Sequence, residues 1–353
     1  TKELKDLIFE VLATFDITAP NKDAVKFERI GDKRGFNSAI HRTSFEDGRS
    51  FAIKITDPDE NPILNMLHNR ELEFYDWLNS VKEEIAFEPN DLSGLLKFYG
   101  GTRCDNEPGI LIFNNLSDRI GIQPNYAIGY KPYVVFQLVK QIAAYQSVYL
   151  FTEKEVSMGK EFIKYDSTAK TCVPMLDKVQ WMTEEEKRRL IEWSRPDNLF
   201  ASQTEISKEV EGISPVLAHC DLWNGNIIFG EKEGSTDFLA IVDWQTFKIG
   251  NPLLDIATII GANMNTEDRR QFTPEILRLY NDEIEKRKKG FKKQFEMTPE
   301  KAQILLSHAL RWPCIETMFA VVLNPTDDPK EEGQEMGRLS IRLRELMNDV
   351  LGK

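Results

Sequence analysis

Three polar residues in the second half of the chain have the types and the spacing that phosphoryl transfer requires. Asp221 lies two residues after His219 and five residues before Asn226, and Asp243 ends an apolar run 22 residues after Asp221. A carboxylate can orient an attacking hydroxyl and take its proton, and further oxygen ligands can hold the metal ions that neutralise nucleotide phosphates. Asp221, Asn226 and Asp243 supply these three groups.

A fourth candidate, Lys54, lies much earlier in the chain. Each candidate taken alone has an ordinary structural explanation: His219 braces a loop, Asp243 caps a turn, and Lys54 is a solvated strand residue. Their joint order favours the functional interpretation, because the segment FAIKI places Lys54 in the third β-type run. A lysine there in a kinase fold reaches the α- and β-phosphates. The helix that follows carries Glu71 and Glu73, and we expect Glu71 to pair with Lys54.

The elements that must position these residues divide the chain into a β-rich and a helical part. Short β-type runs separated by glycines predict an antiparallel meander, over residues 24–30, 38–43 and 50–56. A helix is predicted from about Pro62 to Val81, and helices dominate from residue 117 onward. They are interrupted at 216–244, where a tight hairpin is expected to bring the predicted metal ligands side by side. Helix starts are predicted at Thr273-Pro274 and at Thr298-Pro299, each an N-cap followed by proline.

Composition and charge limit the class of protein. The 353 residues are 41% hydrophobic, enough for an ordinary globular core, and the net charge of -12 argues against broad attraction to nucleic acid or anionic lipid. Four dispersed cysteines without a C-x-x-C pair favour a reduced, intracellular protein. No apolar run approaches the roughly 20 residues of a membrane helix. We expect a cytoplasmic protein without a membrane span; its oligomeric state is not indicated.

The segments around the candidate residues resemble the choline kinase and aminoglycoside phosphotransferase superfamily, and within it the ecdysteroid-kinase-like (CHK kinase-like) family. The matching segments occur in family order: GFNSAIHRT (35–43), FAIKI (51–55), HNRELEFYDWL (68–78), ILIFNNLS (110–117), VLAHCDLWNGNIIF (216–229) and IVDWQTFKIGNPLLDIA (241–257). The resemblance implies an α+β, two-lobed protein-kinase-like fold. Residues 1–116 would form a small antiparallel-sheet lobe that binds nucleotide, and residues 117–353 a mainly helical lobe with the catalytic loop and the substrate pocket.

The resemblance also implies a role for each candidate residue. Asp221 would be the catalytic base, and Asn226 and Asp243 would hold Mg²⁺. Lys54, anchored by Glu71, would position ATP. The strand after Gly109 would lead into an adenine-binding hinge, formed by Phe113, Asn114, Asn115 and Leu116.

Some residues depart from the family pattern. Asn115 stands where a carboxylate is frequent, and Cys220 occupies a position that is often glycine; neither change removes a catalytic group. Asp255, in GNPLLD, would be structural. The nucleotide loop lacks G-x-G-x-x-G, and its residues available to contact phosphate are Gly31, Gly35 and Ser38.

The sequence therefore predicts an ATP- and Mg²⁺-dependent kinase whose acceptor is a hydroxyl of a small molecule. A protein kinase needs an activation segment ending in A-P-E, whereas only Trp244 to Ile249 separate Asp243 from GNPLLD. A nucleotide-binding pseudokinase or scaffold usually lacks the base, the lysine or a metal ligand, and all of them are present. The acceptor stays open among choline, ethanolamine, a sterol alcohol, an aminoglycoside and other hydroxyl compounds.

Overall fold

The chain divides into two compact units. The first contains Thr1–Ile122 and Ile228–Thr246, and the second contains Gln123–Ile227 and Phe247–Lys353. The computed structural model describes residues 2–18, 21–30, 39–58, 62–82, 85, 92–125, 127–156, 169–204, 210–232, 235–322 and 335–352. The lobes predicted from the sequence, 1–116 and 117–353, stay a prediction, and the compact units differ from them in grouping residues 228–246 with the first unit.

The first unit is built on a five-stranded antiparallel sheet with the strand order β1-β2-β3-β5-β4. The strands are β1 (Lys26–Ile30), β2 (Ala39–Ser44), β3 (Ser50–Thr56), β4 (Phe98–Thr102) and β5 (Gly109–Asn114). Strand β3 alternates as a half-buried strand should: Phe51, Ile53 and Ile55 are buried, and Lys54 lies on the opposite face. The predicted α+β fold, with its antiparallel sheet, is confirmed.

Two helices cover the sheet. Helix α1 (Lys2–Thr14) contributes Ile8 and Leu12 to a core that includes Phe51 and Ile53, so it packs on the apolar face of β3. Helix α2 (Pro62–Lys82) contacts the other face, which carries Lys54. Burial of each large apolar side chain stabilises the fold by about 1.5–3 kcal/mol. The sheet thus presents Lys54 to α2 on the face opposite the apolar core.

His68 on α2 is a buried histidine whose hydrogen bonds define its tautomer. Its Nε2 lies 2.9 Å from the carbonyl oxygen of Thr102, and its Nδ1 lies 3.0 Å from the Thr56 hydroxyl. Because a carbonyl only accepts, Nε2 carries the proton and Nδ1 accepts from the hydroxyl. A Cβ at Gly109 would lie 2.3 Å from this Nε2, so only glycine fits there. Burial lowers the pKa of His68 from 6.5 to about 4.

Acidification is expected to destabilise the protein through His68. Between its unfolded pKa of 6.5 and its folded pKa of about 4, the unfolded chain binds more protons, so the free energy of unfolding falls as the pH falls. The loss at about pH 5 is about 2 kcal/mol from this group. We expect urea unfolding at neutral pH and at about pH 5 to show this loss in the wild-type protein and to show about 2 kcal/mol less of it in His68→Gln. An identical pH dependence in the two proteins would contradict the assignment.

The second unit is mainly helical. Its helices are α3 (Pro132–Phe151), α4 (Glu184–Trp193), α5 (Pro196–Thr204), α6 (Leu254–Ala262), α7 (Thr266–Arg287), α8 (Pro299–Ala309), α9 (Arg311–Val322) and α10 (Glu335–Leu351). Strands β6 (Val216–Ala218) and β9 (Lys248–Gly250) of this unit pair with each other. Between them in the sequence lie β7 (Ile227–Lys232) and β8 (Ser235–Ile241), which pair as a separate hairpin that falls almost entirely in the first unit. In the parts of the chain that the structure describes, no helix combines the length and the apolar character needed to cross a bilayer.

One of the two predicted N-cap–proline helix starts is confirmed, and the other is wrong. Thr298 caps α8, with its hydroxyl accepting from the N–H of Lys301 at 3.3 Å. Pro274, by contrast, lies inside α7, which begins after the N-cap Asn265. The Thr273 hydroxyl donates to the Arg269 carbonyl at 2.6 Å, a bond made within a continuing helix. The cap at Asn265 decides where the helix starts, and the packed helix tolerates the later proline.

Candidate active site

Lys54, Glu71 and Asp243 meet in the first unit, although Lys54 and Asp243 are 189 residues apart. The Lys54 ammonium donates to Glu71 Oε2 at 2.5 Å and to Asp243 Oδ1 at 2.8 Å. Burial alone would lower the pKa of Lys54, but the charges of Asp243 and Glu71 outweigh it, so the pKa is raised and the ammonium stays charged. The alternative partner, Glu73, pairs instead with Arg103 at 3.3 Å.

One face of α2 holds the segment that follows Asp243. The Glu71 carboxylate accepts from the backbone N–H of Trp244 as well as from the lysine. The Phe74 ring stacks on the Trp244 indole, with the ring centroids 4.2 Å apart and the planes 5° from parallel. Arg70 Nε donates to the Gln245 carbonyl at 3.2 Å. Positions three and four apart share a helix face, so a single turn of α2 provides these contacts.

Two candidate loops contain a non-glycine residue in the left-handed backbone region. The φ angle is +68° at Asp243 and +65° at Cys220. Non-glycine residues rarely take this conformation, and it persists where surrounding contacts hold it, often at functional sites. A glycine at position 220 would adopt this positive φ without a steric cost, whereas a cysteine needs surrounding contacts to hold it there.

The catalytic-loop candidates Asp221 and Asn226 contact each other in the second unit. Asn226 Nδ2 donates to the Asp221 carbonyl at 2.7 Å and to Asp221 Oδ2 at 3.2 Å. The backbone N–H of Asp221 donates to His219 Nδ1 at 3.2 Å, so this nitrogen is unprotonated and the ring is neutral. His219 therefore braces the loop, as the sequence suggests, and Asn226 orients the Asp221 carboxylate.

Asp255 supports the same loop from beneath. It is fully buried, and its Oδ2 and Oδ1 accept from the backbone N–H groups of His219 at 2.8 Å and Cys220 at 3.0 Å. The Tyr145 hydroxyl on α3 donates to Oδ2 at 2.5 Å. A buried carboxylate needs several donors to offset its desolvation. The geometry accounts for the structural role expected of Asp255, and Tyr145 is a partner that its sequence position on α3 did not indicate.

Tyr145→Phe is expected to lower the free energy of unfolding by about 1–3 kcal/mol, because Asp255 loses a donor and stays buried. Tyr149→Phe is the matched control on the same helix: its hydroxyl also bonds a carboxylate, but that of the exposed Glu155. Its cost is expected to stay below about 1 kcal/mol because solvent replaces the bond. Denaturant titration of both variants checks the ranking, and equal losses would contradict it.

The side-chain oxygens of Asn226 and Asp243 are of the type that binds Mg²⁺. Because Asn226 turns its Nδ2 toward Asp221, its Oδ1 faces away from that bond, and none of the described residues donates to this oxygen. Amide and carboxylate oxygens are the hard ligands that Mg²⁺ prefers. The described ranges contain no cluster of three His, Cys, Asp or Glu side chains suited to a metal. Asn226 belongs to the second unit and Asp243 to the first, so their predicted adjacency stays a prediction.

The predicted adenine hinge follows the end of β5. Phe113 is buried and pairs with Ala52 in the sheet, and Asn114 Oδ1 accepts from the backbone N–H of Lys97 at 2.7 Å. Asn115 and Leu116 follow β5 directly, and the Leu116 carbonyl accepts from the backbone N–H of Arg119 at 2.9 Å. The adenine contact of this segment stays a prediction.

The side chain of Asn115 is hydrogen-bonded within the hinge, whereas Ser38 belongs to the predicted nucleotide loop. The Asn115 side chain donates to the Ser50 hydroxyl at 3.2 Å and accepts from the Ser117 N–H at 3.0 Å. A carboxylate at this position could accept but not donate, so the amide makes both contacts. The predicted phosphate contact Ser38, like Gly31 and Gly35, lies outside the described residues.

Solved structures of two phosphotransferases share this fold. Choline kinase from Cryptosporidium parvum Iowa II aligns with a TM-score of 0.54 at 12% identity, over 98% of this chain and 95% of that chain. A mutant of aminoglycoside 2′-phosphotransferase-IIIa in its GDP complex gives a TM-score of 0.50 at 10% identity, over 99% and 98%. Likeness at these identities shows the fold alone. The chain has the kinase-like fold of the choline kinase and aminoglycoside phosphotransferase superfamily, as its sequence predicts.

The family can be stated more narrowly. The family model described as "DUF1679: Uncharacterized oxidoreductase dhs-27" matches residues 20–351, and the chain belongs to this family. A curated relative, 4-hydroxytryptamine kinase from Psilocybe cyanescens, is 39% identical over 59 residues. That alignment covers 16% of this chain and 16% of the relative, so it spans a small part of either protein. Membership of the ecdysteroid-kinase-like branch stays a prediction.

Proposed function

We propose that the protein is an ATP- and Mg²⁺-dependent kinase that transfers the γ-phosphate to a hydroxyl of a small molecule. The observation that carries this proposal is the ammonium of Lys54, which lies between the carboxylates of Glu71 and Asp243. The three residues are contributed by β3, by α2 and by the segment after β8. An ammonium held by two carboxylates is positioned to neutralise nucleotide phosphates, and the second carboxylate is an oxygen ligand for the accompanying cation.

The proposed reaction assigns one task to each group. The Asp221 carboxylate accepts the proton of the acceptor hydroxyl, and the hydroxyl oxygen forms a bond to the γ-phosphorus. The bond from that phosphorus to the bridging β–γ oxygen breaks, and ADP leaves with the electron pair. Lys54 neutralises the phosphates, while Asn226 and Asp243 would hold Mg²⁺, whose charge stabilises the phosphates when it is bound. Adenine would dock at the predicted hinge, Phe113 to Leu116.

The family description names an oxidoreductase, but two features argue against a Rossmann-type dinucleotide site. Dinucleotide-dependent oxidoreductases of the Rossmann type bind their cofactor at a G-x-G-x-x-G turn of a parallel sheet. No two glycines in this sequence are separated by a single residue, so that turn does not occur. The five-stranded sheet of the first unit is antiparallel throughout.

A small acceptor is favoured over a protein acceptor by the length of the segment after Asp243. A short 3₁₀ helix, Trp244–Thr246, follows directly, and β9 begins at Lys248. This leaves no stretch of chain for a peptide-binding activation segment. Acceptors to test first are choline- and ethanolamine-like compounds, steroid alcohols and, from the name of the curated relative, 4-hydroxytryptamine. A pseudokinase is the second candidate, and the presence of the lysine, the base and both ligands weighs against it.

Incubation of the purified protein with Mg·ATP and a metabolite extract, followed by mass spectrometry for new phosphate esters, tests the proposal and identifies the acceptor. We expect a phosphorylated product and matching ADP in the wild-type sample and neither in Asp221→Asn. A wild-type protein that binds Mg·ATP but consumes none with any acceptor would support the pseudokinase. One that does not bind Mg·ATP would overturn the proposal.

A further inference from the structure

Gln245 contacts the predicted metal ligand Asp243 directly. Its Nε2 donates to Asp243 Oδ2 at 3.0 Å, while the other carboxylate oxygen, Oδ1, accepts from Lys54 at 2.8 Å. A donor on each oxygen fixes the plane of the carboxylate. The left-handed backbone at Asp243 aims the side chain, and these two donors set its rotation.

Gln245 is itself held in place. The residue is only 8% exposed and lies in the short 3₁₀ helix Trp244–Thr246. Its carbonyl accepts from Arg70, which is also 8% exposed, and the preceding indole is stacked on Phe74. Because the backbone on both sides of the side chain is fixed by α2, the amide loses little further conformational freedom when it binds Asp243.

The two donors on Asp243 differ in what they leave for a cation. Lys54 brings a positive charge to Oδ1, and this charge opposes a divalent ion at the same oxygen. Gln245 is neutral, so its N–H orients Oδ2 and leaves the negative charge of the carboxylate intact. Once nucleotide phosphates compete for the ammonium, the amide is the contact that keeps the carboxylate oriented.

We propose that Gln245 is a positioning residue that orients the Asp243 carboxylate for a divalent cation. This inference rests on the proposed function and deepens it, because it assigns control of the metal-binding geometry to a residue outside the predicted site. Partners that orient a metal ligand typically change metal affinity or activity by 10–100-fold when they are removed.

The variant that tests this is Gln245→Met, which keeps the length of the side chain and removes the N–H. With Mn²⁺ as the probe and ATP present, electron paramagnetic resonance measures bound metal without turnover. We expect the Mn²⁺ concentration for half-saturation to rise by about 10–100-fold, and the Mg²⁺ requirement of any turnover to rise in parallel. Gln245→Leu is the second variant should the first lose its fold, which circular dichroism reports.

Gln203→Met is the matched control. Gln203 is a fully buried glutamine on α5, and its amide atoms have no hydrogen-bond partner within the described structure. We expect its Mn²⁺ affinity to equal that of the wild-type protein. If a folded Gln245→Met or Gln245→Leu protein had unchanged Mn²⁺ affinity, the positioning role of Gln245 would be overturned, but the proposed metal site would not. A wild-type protein that holds no Mn²⁺ with ATP, or an Asp243→Asn protein that holds it equally well, would overturn the proposed metal site itself.

Discussion

The Asp221→Asn variant is expected to lose about 10²–10⁴-fold in kcat, the usual contribution of a general base, while its Kd for ATP stays unchanged. An amide cannot take the proton of the acceptor hydroxyl. The new side chain has nearly the same shape, and its oxygen can still accept from Asn226 Nδ2, the bond that orients Asp221. The loop braced by His219 and Asp255 should therefore keep its conformation. Steady-state kinetics with the identified acceptor and a separate ATP-binding titration check the two halves of this result.

Asp282→Asn is the control for the loss of one carboxylate. Asp282 is exposed on α7, and its replacement changes the net charge of the protein by the same amount. We expect this variant to keep the wild-type kcat. If Asp221→Asn also retained full activity, Asp221 would not be the base, and phosphoryl transfer would need another proton acceptor.

Lys54→Met is expected to abolish ATP binding and to lower the free energy of unfolding by about 3–5 kcal/mol. The large structural effect follows from the burial of its partner: the Glu71 side chain is only 2% exposed. Without the ammonium, Glu71 and Asp243 lack the cation between them. Breaking one side of a buried ion pair leaves an uncompensated charge, which costs more than the pair contributes. Chemical denaturation and an ATP-binding titration measure the two effects.

The double variant Lys54→Met with Glu71→Leu separates the structural role of the lysine from its role in binding. Replacing both members of a buried pair by apolar residues of similar size is often neutral. We expect the double variant to regain part of the lost stability, because Asp243 and the Trp244 N–H still lack their partners, and still not to bind ATP. Recovery of ATP binding along with stability would show that Lys54 serves the fold and not the nucleotide. The coupling free energy between the two positions follows from the four proteins of the cycle.

The parts of the site that could be predicted are those in which a residue type and a local element suffice. An apolar alternation places Lys54 on one face of a strand, and helical spacing places Glu71 where it can reach that face. The same reasoning could not choose firmly between Glu71 and Glu73, because both lie within reach of one helix turn. Packing decides between them: Glu71 is buried against the sheet, and Glu73 faces the more exposed Arg103.

Other features depend on contacts between distant segments, which spacing does not encode. Arg70, Glu71 and Phe74 contact the segment after Asp243, which lies far away in the sequence. Arg70 and Gln245, for example, are 175 positions apart. Tyr145 is one of many apolar-periodic residues on α3, and nothing local marks it as the partner of Asp255. Backbone conformation is the third case: a cysteine at position 220 gives no sign that φ there is positive.

The first unit is formed from two separate stretches of the chain, and this has a consequence for its folding during synthesis. Its residues come from Thr1–Ile122 and Ile228–Thr246, so a ribosome must add 189 residues after Lys54 before Asp243 exists. At about 5–20 residues per second this interval lasts about 10–40 s. For most of that time α2 is already synthesised, but its Phe74 has no Trp244 to stack on. The nascent first unit thus leaves the Phe74 ring without its stacking partner until the later segment emerges, and transiently exposed apolar surface of this kind is what chaperones protect.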